Sequence, residues 1–399
     1  AVISWLLLAV SAFAQQNSSN SLEEKITNIN QQVDKDKVVF QLDELLAVQA
    51  LNSPEKLTIL EALEHHYKST NNFVKAIDIV KKIILAAKKH QPPQYIAKAY
   101  KRLGIYHYLK GDYAKSITHY SRALDYFNGV NLPVERANLL NNIGLAQAAK
   151  GDNTQAINSY QQAEKIYQAF GSEIDKIDIR FNIAGLYLRL DRYELAIKAF
   201  LNVIERREKI NDLAGLAAAY SDLGIVYKQS RQFKVALRYM EKSLKYYQQE
   251  NDLFNLASIY HNISEVFYEL DQHGKTLEFA GKAITISEKH DYKTSLAGAL
   301  YSYAKSLYFK GQIERAHEYL NRSNIIAAEL SYAKQLEVNL ALFSLIYAAK
   351  SQPEQSLHYH RSFIAKRNER ENNELNVLLS GYEAKELKQQ VEQLKQNEE

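Results

Sequence analysis

A forty-residue period runs through most of this chain and constrains its fold more than any other feature. Leu63, Leu103, Ile143, Ile183, Leu223, Ile263, Tyr303 and Phe343 stand forty residues apart. The residues after them are Glu64, Gly104, Gly144, Ala184, Gly224, Ser264, Ala304 and Ser344, small in all but the first. Thirteen residues beyond the leucine slot come Ala76, Ser116, Ala156, Ala196, Ala236, Thr276, Ala316 and Ser356. Next to these lie Ile77, Ile117, Ile157, Ile197, Leu237, Leu277, His317 and Leu357. Eight units keep this register over 57–376 without insertion or deletion. Such a period marks stacked supersecondary units, none of which can bury its apolar face alone.

Each unit reads as two helices. Leu223, Gly224 and Tyr227 share one helical face. With 14 Gly and 5 Pro in 399 residues, the chain has too little turn punctuation for an all-β fold. Lys110-Gly111-Asp112, Lys150-Gly151-Asp152 and Lys310-Gly311-Gln312 mark the turn between the helices. Gly suits the left-handed residue that closes a helix, and Asp is expected to cap the next one. Phe73, Tyr113, Tyr193 and Phe233 open second helices. The small slot lets two helix axes approach, while Tyr120, Tyr160, Phe200 and Met240 fill the space between units. The register fits worst at Glu64, His317 and His360, which are polar residues in small or apolar slots.

These residues resemble the tetratricopeptide repeat. The pattern of that family appears in Leu223-Gly224, Tyr227, Ala236, Met240 and the less typical Ser243. It appears again in Ile143-Gly144, Ala156, Tyr160 and Ala163. The unit is longer than the family's usual one, as in the variant found in bacterial peptide-sensing proteins and kinesin light chains. The resemblance implies an all-α fold: a right-handed solenoid of about eight helix pairs.

Segments outside the repeats have characters of their own. Residues 1–14, AVISWLLLAVSAFA, form an apolar run ending in Ala12-Phe13-Ala14 and read as a signal peptide. The run is too short to span a bilayer. Residues 15–56 read as N-terminal capping helices. Ser21 to Glu24 makes a capping box, and a second helix is expected over Val38–Leu51. In 377–399 the period changes to seven. Val377, Ala384 and Val391 are followed three residues later by Ser380, Leu387 and Leu394. This pattern predicts a C-terminal long helix entering a coiled coil, which could pair two chains. The plainer alternative is a solvated capping helix. Because the chain stops in heptad-like sequence, a piece of a longer protein is expected.

Several chemistries are excluded or disfavoured. With no Cys, disulfides and thiol catalysis are impossible. A net charge of +4 is too mild to argue for nucleic acid. Gly274-Lys275-Thr276 looks like the end of a phosphate loop, but Glu269 stands where that motif needs Gly. His65-His66 and His358-x-His360 lack the spacing that puts two metal ligands on one helix face. The expectation is therefore no enzyme, no cofactor and no metal.

What remains is a groove lined by the first helices. The residue before the leucine slot is Arg102, Asn142, Asn182, Asp222, Asn262 or Ser302. An amide side chain both donates and accepts, so a ladder of Asn matches the N–H and C=O groups of an extended peptide. The alternative is that each amide bonds a neighbouring helix or water. In related extended-unit proteins Asn in this slot grips a peptide backbone, so the resemblance implies a peptide groove. Lys101, Phe181, His261 and Tyr301, one residue before the ladder, and Lys228 and Tyr268 further along, would add specificity.

The layout also resembles the extracytoplasmic part of bacterial membrane receptors of the diguanylate cyclase, histidine kinase or transcriptional regulator type. That resemblance implies a periplasmic sensory module. It would bind a peptide or protein and pass the signal along its C-terminal helix to a membrane anchor beyond Glu399. The alternative is a free periplasmic assembly scaffold with no output domain.

Overall fold

The computed structural model describes residues 22–31, 34–48, 54–88, 91–127, 131–330 and 332–369. The expected leader over 1–14 and the heptads of 377–399 lie outside the described residues. Among the described residues every regular element is a helix.

The first two helices are α1 (22–30) and α2 (Lys35–Val48). Eight pairs follow: α3 (Pro54–Ser69) with α4 (Phe73–Ala87), α5 (Pro93–Leu109) with α6 (Tyr113–Tyr126), and α7 (Pro133–Lys150) with α8 (Asn153–Phe170). Then come α9 (Glu173–Arg189) with α10 (Tyr193–Lys209), α11 (Leu213–Gln229) with α12 (Phe233–Gln249), and α13 (Leu253–Glu269) with α14 (His273–His290). The last are α15 (Lys293–Phe309) with α16 (Ile313–Glu329), and α17 (Ala333–Ala349) with α18 (353–369). The second helix begins three residues before the expected Val38 and is described to Val48; its expected end at Leu51 lies outside the described residues. The helices fall into two compact units, Ala1–Ile179 and Arg180–Glu399, with the division inside α9.

One turn geometry recurs in every pair. Asn71, Gly111, Gly151, Asp191, Arg231, Asp271, Gly311 and Ser351 all have positive φ, between 54° and 97°. The next residue's N–H reaches back five residues, as in Asp112 to the His107 carbonyl (2.8 Å) and Gln232 to that of Tyr227 (2.8 Å). This closure satisfies carbonyls that the helix end would leave unpaired. Glycine serves the left-handed position in three pairs. Elsewhere Asn, Asp, Ser and even Arg are held there by the packing of the two helices.

The expected Asp caps are only half present. Asp112 and Asp152 occupy the N-cap position, yet neither carboxylate takes a capping bond. Asp112 meets His107 Nδ1 at 3.3 Å, and Asp152 accepts from Lys150 Nζ at 2.8 Å. These side-chain partners take the carboxylates in place of the backbone. Side-chain caps occur instead at Asn72, Asp212 and Asp252, which accept from the N–H groups of Lys75, Gly215 and Asn255.

The small slot works as expected. A Cβ on Gly104 would stand 2.4 Å from the Tyr120 ring, one on Gly144 2.6 Å from the Tyr160 ring, and one on Gly224 2.6 Å from Met240. Tyr120, Tyr160 and Met240 are themselves buried. Where Ser replaces Ala in the later slot, its hydroxyl finds a partner. Ser116 Oγ donates to the Gly104 carbonyl at 2.7 Å and Ser356 Oγ to that of Ser344 at 2.9 Å.

In the first unit, Leu22, Ile26, Val38 and Leu42 of α1 and α2 share one core with Leu57, Leu60, Leu63, Val80 and Ile83. The N-terminal pair thus covers the first layer of the stack. In the second unit, α11 to α15 enclose a core around Met240, Ile259, Ile263, Val266 and Leu300. A further core around Leu307, Leu320, Leu342 and Ile346 follows it. Two of the poorly fitting polar residues have partners, and the third, His360, is exposed. Glu64 is buried beside Arg102, and His317 Nε2 lies 3.2 Å from Tyr347 Oη.

Candidate binding groove on the first helices

Within the second unit the first helices touch one another, α11 with α13, α13 with α15 and α15 with α17. The ladder slot lies on these first helices. Residues three and six positions beyond the ladder slot meet across neighbouring helices. Lys228 on α11 is hydrogen-bonded to Glu265 on α13, 37 residues away. One layer on, the Lys305 ammonium of α15 stands 3.6 Å from the centroid of the Tyr268 ring of α13.

These contacts set the electrostatics. Burial alone would raise the Glu265 carboxyl, but Lys228, then His261 and Lys305, hold it down to about 2. Glu265 is therefore an anion throughout the physiological range, with Lys228 as its counter-ion. Burial lowers the His261 imidazole, while Glu265 acts to raise it and Lys228 to lower it. Its Nδ1 is buried with no partner. A Cβ on Gly298 would stand 2.5 Å from its Nε2, so the tip of the ring lies close against the backbone of α15. Burial lowers the Lys305 ammonium, against which Glu269 and Glu265 act from a distance. Burial pushes the Tyr268 phenol up to about 12 and that of Tyr301 higher still.

Asp222 differs from all of these. It is half-buried on α11, and no cation stands within ion-pair distance among the described residues. Desolvation alone pushes its carboxyl up to about 6. Asn262, in the same slot on α13, is half-buried and makes no side-chain hydrogen bond among the described residues.

The other expected site residues are divided. In the first unit, Asn142 on α7 is half-buried and likewise has no hydrogen-bond partner among the described residues. Arg102 is committed to structure: its Nε lies 3.0 Å from Glu64 Oε1, to which Tyr106 Oη also donates at 2.8 Å. Lys101 lies 3.6 Å from Glu135. In the second unit, Asn182 is half-buried on α9 and has a partner. The Phe181 ring packs edge-on against Phe200 at 5.5 Å and lies 5.5 Å below the Arg207 guanidinium. Lys228, His261, Tyr268 and Tyr301 gather around Glu265 and Lys305, and Asp222 and Asn262 stand on two of the same helices, α11 and α13. Glu265 and Lys305 were not among the residues expected there. Their signal was a third slot, three residues after the ladder, in which charge replaces Ile225 of the preceding unit.

Fold and site together define a helical-repeat protein with polar and aromatic side chains on its first helices. Residues 95–169 and 175–249 match the tetratricopeptide repeat family. No protein of curated function matches the chain in sequence. Among solved structures, the chain is similar to a Rap protein complexed with competence and sporulation factor. The identity is 15%, the TM-score 0.62, and the match covers 89% of this chain and 98% of the other. It is similar to the apo form of the quorum sensor NprR from B. thuringiensis, at 16% identity and a TM-score of 0.60, covering 89% of this chain and 99% of that one. It is also similar to the Rap conjugation gene regulator of plasmid pLS20 in complex with the Phr* peptide. There the identity is 14%, the TM-score 0.60 and the coverage 82% and 93%. These likenesses establish a tetratricopeptide-type solenoid fold. No helix of the described residues is long and apolar enough to cross a membrane.

Proposed function

We propose that this chain is a peptide-binding sensory module and that the inner face of α11, α13 and α15 is its binding surface. The observation that carries the reading is Asn262. Its amide is half-buried, lacks a hydrogen-bond partner among the described residues, and stands in the slot next to the unpaired Asp222. A buried-side amide with open donors and acceptor suits the backbone of an extended peptide. Two of the similar structures are complexes with a named factor or peptide, which supports the same reading.

The apolar run at 1–14 supports export, and the heptads of 377–399 support a helix that carries the signal onward to the membrane part of a receptor. The binding test is retention of a random hexapeptide pool on the immobilised chain, read by mass spectrometry. Asn262→Ala should abolish most retention while the melting temperature holds. Equal losses in both would reject the groove. Export is tested by fusing a phosphatase active only outside the cytoplasm to the C-terminus. Activity should vanish when residues 1–14 are deleted, and activity that persists would reject the leader.

A further inference from the structure

Among the charged side chains of α11, α13 and α15, Lys228 and Glu265 form an ion pair, whereas Asp222 and Lys305 have no partner at ion-pair distance among the described residues. Lys228 and Glu265 are hydrogen-bonded across α11 and α13. Asp222 on α11 has no counter-ion among the described residues. Lys305 on α15 has none within ion-pair distance among them either, and its ammonium is held over the Tyr268 ring at 3.6 Å and 5.9 Å from that of Tyr301. A cation over an aromatic face stays put without losing its charge to a partner. The groove thus presents a carboxylate with no ion-pair partner on α11 and, on α15, an ammonium that Glu265 and Glu269 reach only at longer range, with Asn262 on the helix between them.

The separation can be sized. Asp222 and Lys305 lie on first helices two layers apart, and packed helix axes stand about 8–10 Å apart, so the two charges are on the order of 20 Å from each other. An extended chain advances about 3.3 Å per residue, so about six residues bridge them. Desolvation is costly for an unpaired charge, and Asp222 is held in a site that pushes its carboxyl up to about 6. An incoming cation would remove that cost.

Resting on the peptide-groove reading, we propose that the ligand is an extended peptide of dipolar charge: a cationic group docks on Asp222 and an anionic group about six residues away docks on Lys305. The peptide backbone between them lies over Asn262, while the closed Lys228–Glu265 pair makes no demand on the ligand's charge. The cation is either a Lys or Arg side chain or a free amino terminus, and the anion either an acidic side chain or a free carboxyl terminus.

The test uses the full chain, immobilised, and synthetic hexapeptide pools randomised at the four inner positions. With both termini blocked, one pool carries Lys first and Glu last, one Gln at both ends, and one Glu at both ends. A fourth pool has Gln at both ends and free termini. The Lys/Glu pool should be retained at least tenfold over the blocked Gln/Gln pool. Retention of the free-ended pool to the same degree would assign the charges to the termini, and its loss would assign them to side chains; both support the proposal. Asp222→Asn should erase the advantage of the Lys/Glu pool, and Asp222→Lys should move it to the Glu/Glu pool. Lys305→Met should independently reduce the advantage several-fold, which keeps the test valid should one Asp222 variant fail to fold. Equal retention of the charged and blocked neutral pools by the wild-type chain, with Asn262→Ala still abolishing it, would overturn the dipolar ligand and leave the groove intact. No retention of any pool would overturn both.

Discussion

Arg102 Nε lies 3.0 Å from Glu64 Oε1 of the preceding repeat, and Tyr106 Oη donates to the same carboxylate oxygen at 2.8 Å. The pair joins the ladder slot of one unit to the small slot of its neighbour, 38 residues earlier. Burial raises the Glu64 carboxyl, and Arg102 and Tyr106 counter it. Removing one partner leaves a charge in a closed space. Arg102→Met should therefore cost about 3 kcal/mol, whereas Glu64→Leu with Arg102→Met should recover most of it, because apolar residues replace a buried pair at little net cost. Urea denaturation of the single and double variants checks this. A double variant as unstable as the single would show that the pair is not coupled.

Two glycines of similar sequence context should respond in opposite ways to alanine. In Gly144→Ala the new methyl group would stand 2.6 Å from the Tyr160 ring, which is buried and unable to retreat. Overpacking of this kind costs about 1–3 kcal/mol. At Gly185, inside α9, a Cβ meets nothing within 4 Å. Gly185→Ala should stabilise by up to about 1 kcal/mol through helix propensity alone. Thermal melts of the two variants should shift in opposite directions.

Asp222 should lower the stability of the unliganded protein. Its folded carboxyl titrates near 6 against an ordinary 3.8. A raised folded value means that the stability it allows is complete below about 3.8 and is lost as pH rises through 6. Asp222→Asn should accordingly be more stable than wild type at pH 7.5 by about 1–2 kcal/mol, with the difference closing near pH 4. Chemical denaturation at the two pH values provides the measurement. A variant less stable at pH 7.5 would mean that the carboxylate has a structural partner.

A histidine in the first unit should give the opposite slope. His119 is half-buried between α5 and α6, its Nδ1 has no partner, and its ring stacks on His107 at 5.0 Å. Burial, then His107, Arg122 and Lys81, push it down to about 4 from 6.5. A depressed folded value gives stability that is full above about 6.5 and lost as pH falls toward 4. His119→Phe should remove about 1–2 kcal/mol of the acid-induced loss between pH 7 and 4.5. Identical pH profiles for variant and wild type would exclude His119 as the source.

The forty-residue register by itself determined the helix pairs, their order and the residues between them. A helix pair needs a small residue at its closest approach and bulk beside it, and Gly104 with Tyr120, or Gly144 with Tyr160, state that need in composition. Gly111, Gly151 and Gly311 likewise announce a left-handed turn, since only Gly enters that region freely. Arg231 and Asp191 do not. They adopt positive φ because the helices on either side leave the chain no other path, a constraint that exists only once the pair has docked. The candidate site divides along the same line. That Asn142, Asn182, Asp222 and Asn262 share a slot is legible from spacing. Which of them are open is decided across helices: Arg102 is taken by Glu64, and Lys228 by Glu265, while Asp222 and Asn262 have no partner among the described residues. Those partners lie 37 or 38 residues apart, one short step from the repeat length. The offset is set by how one first helix slides past the next, which depends on the packed side chains beneath and is written in no single unit.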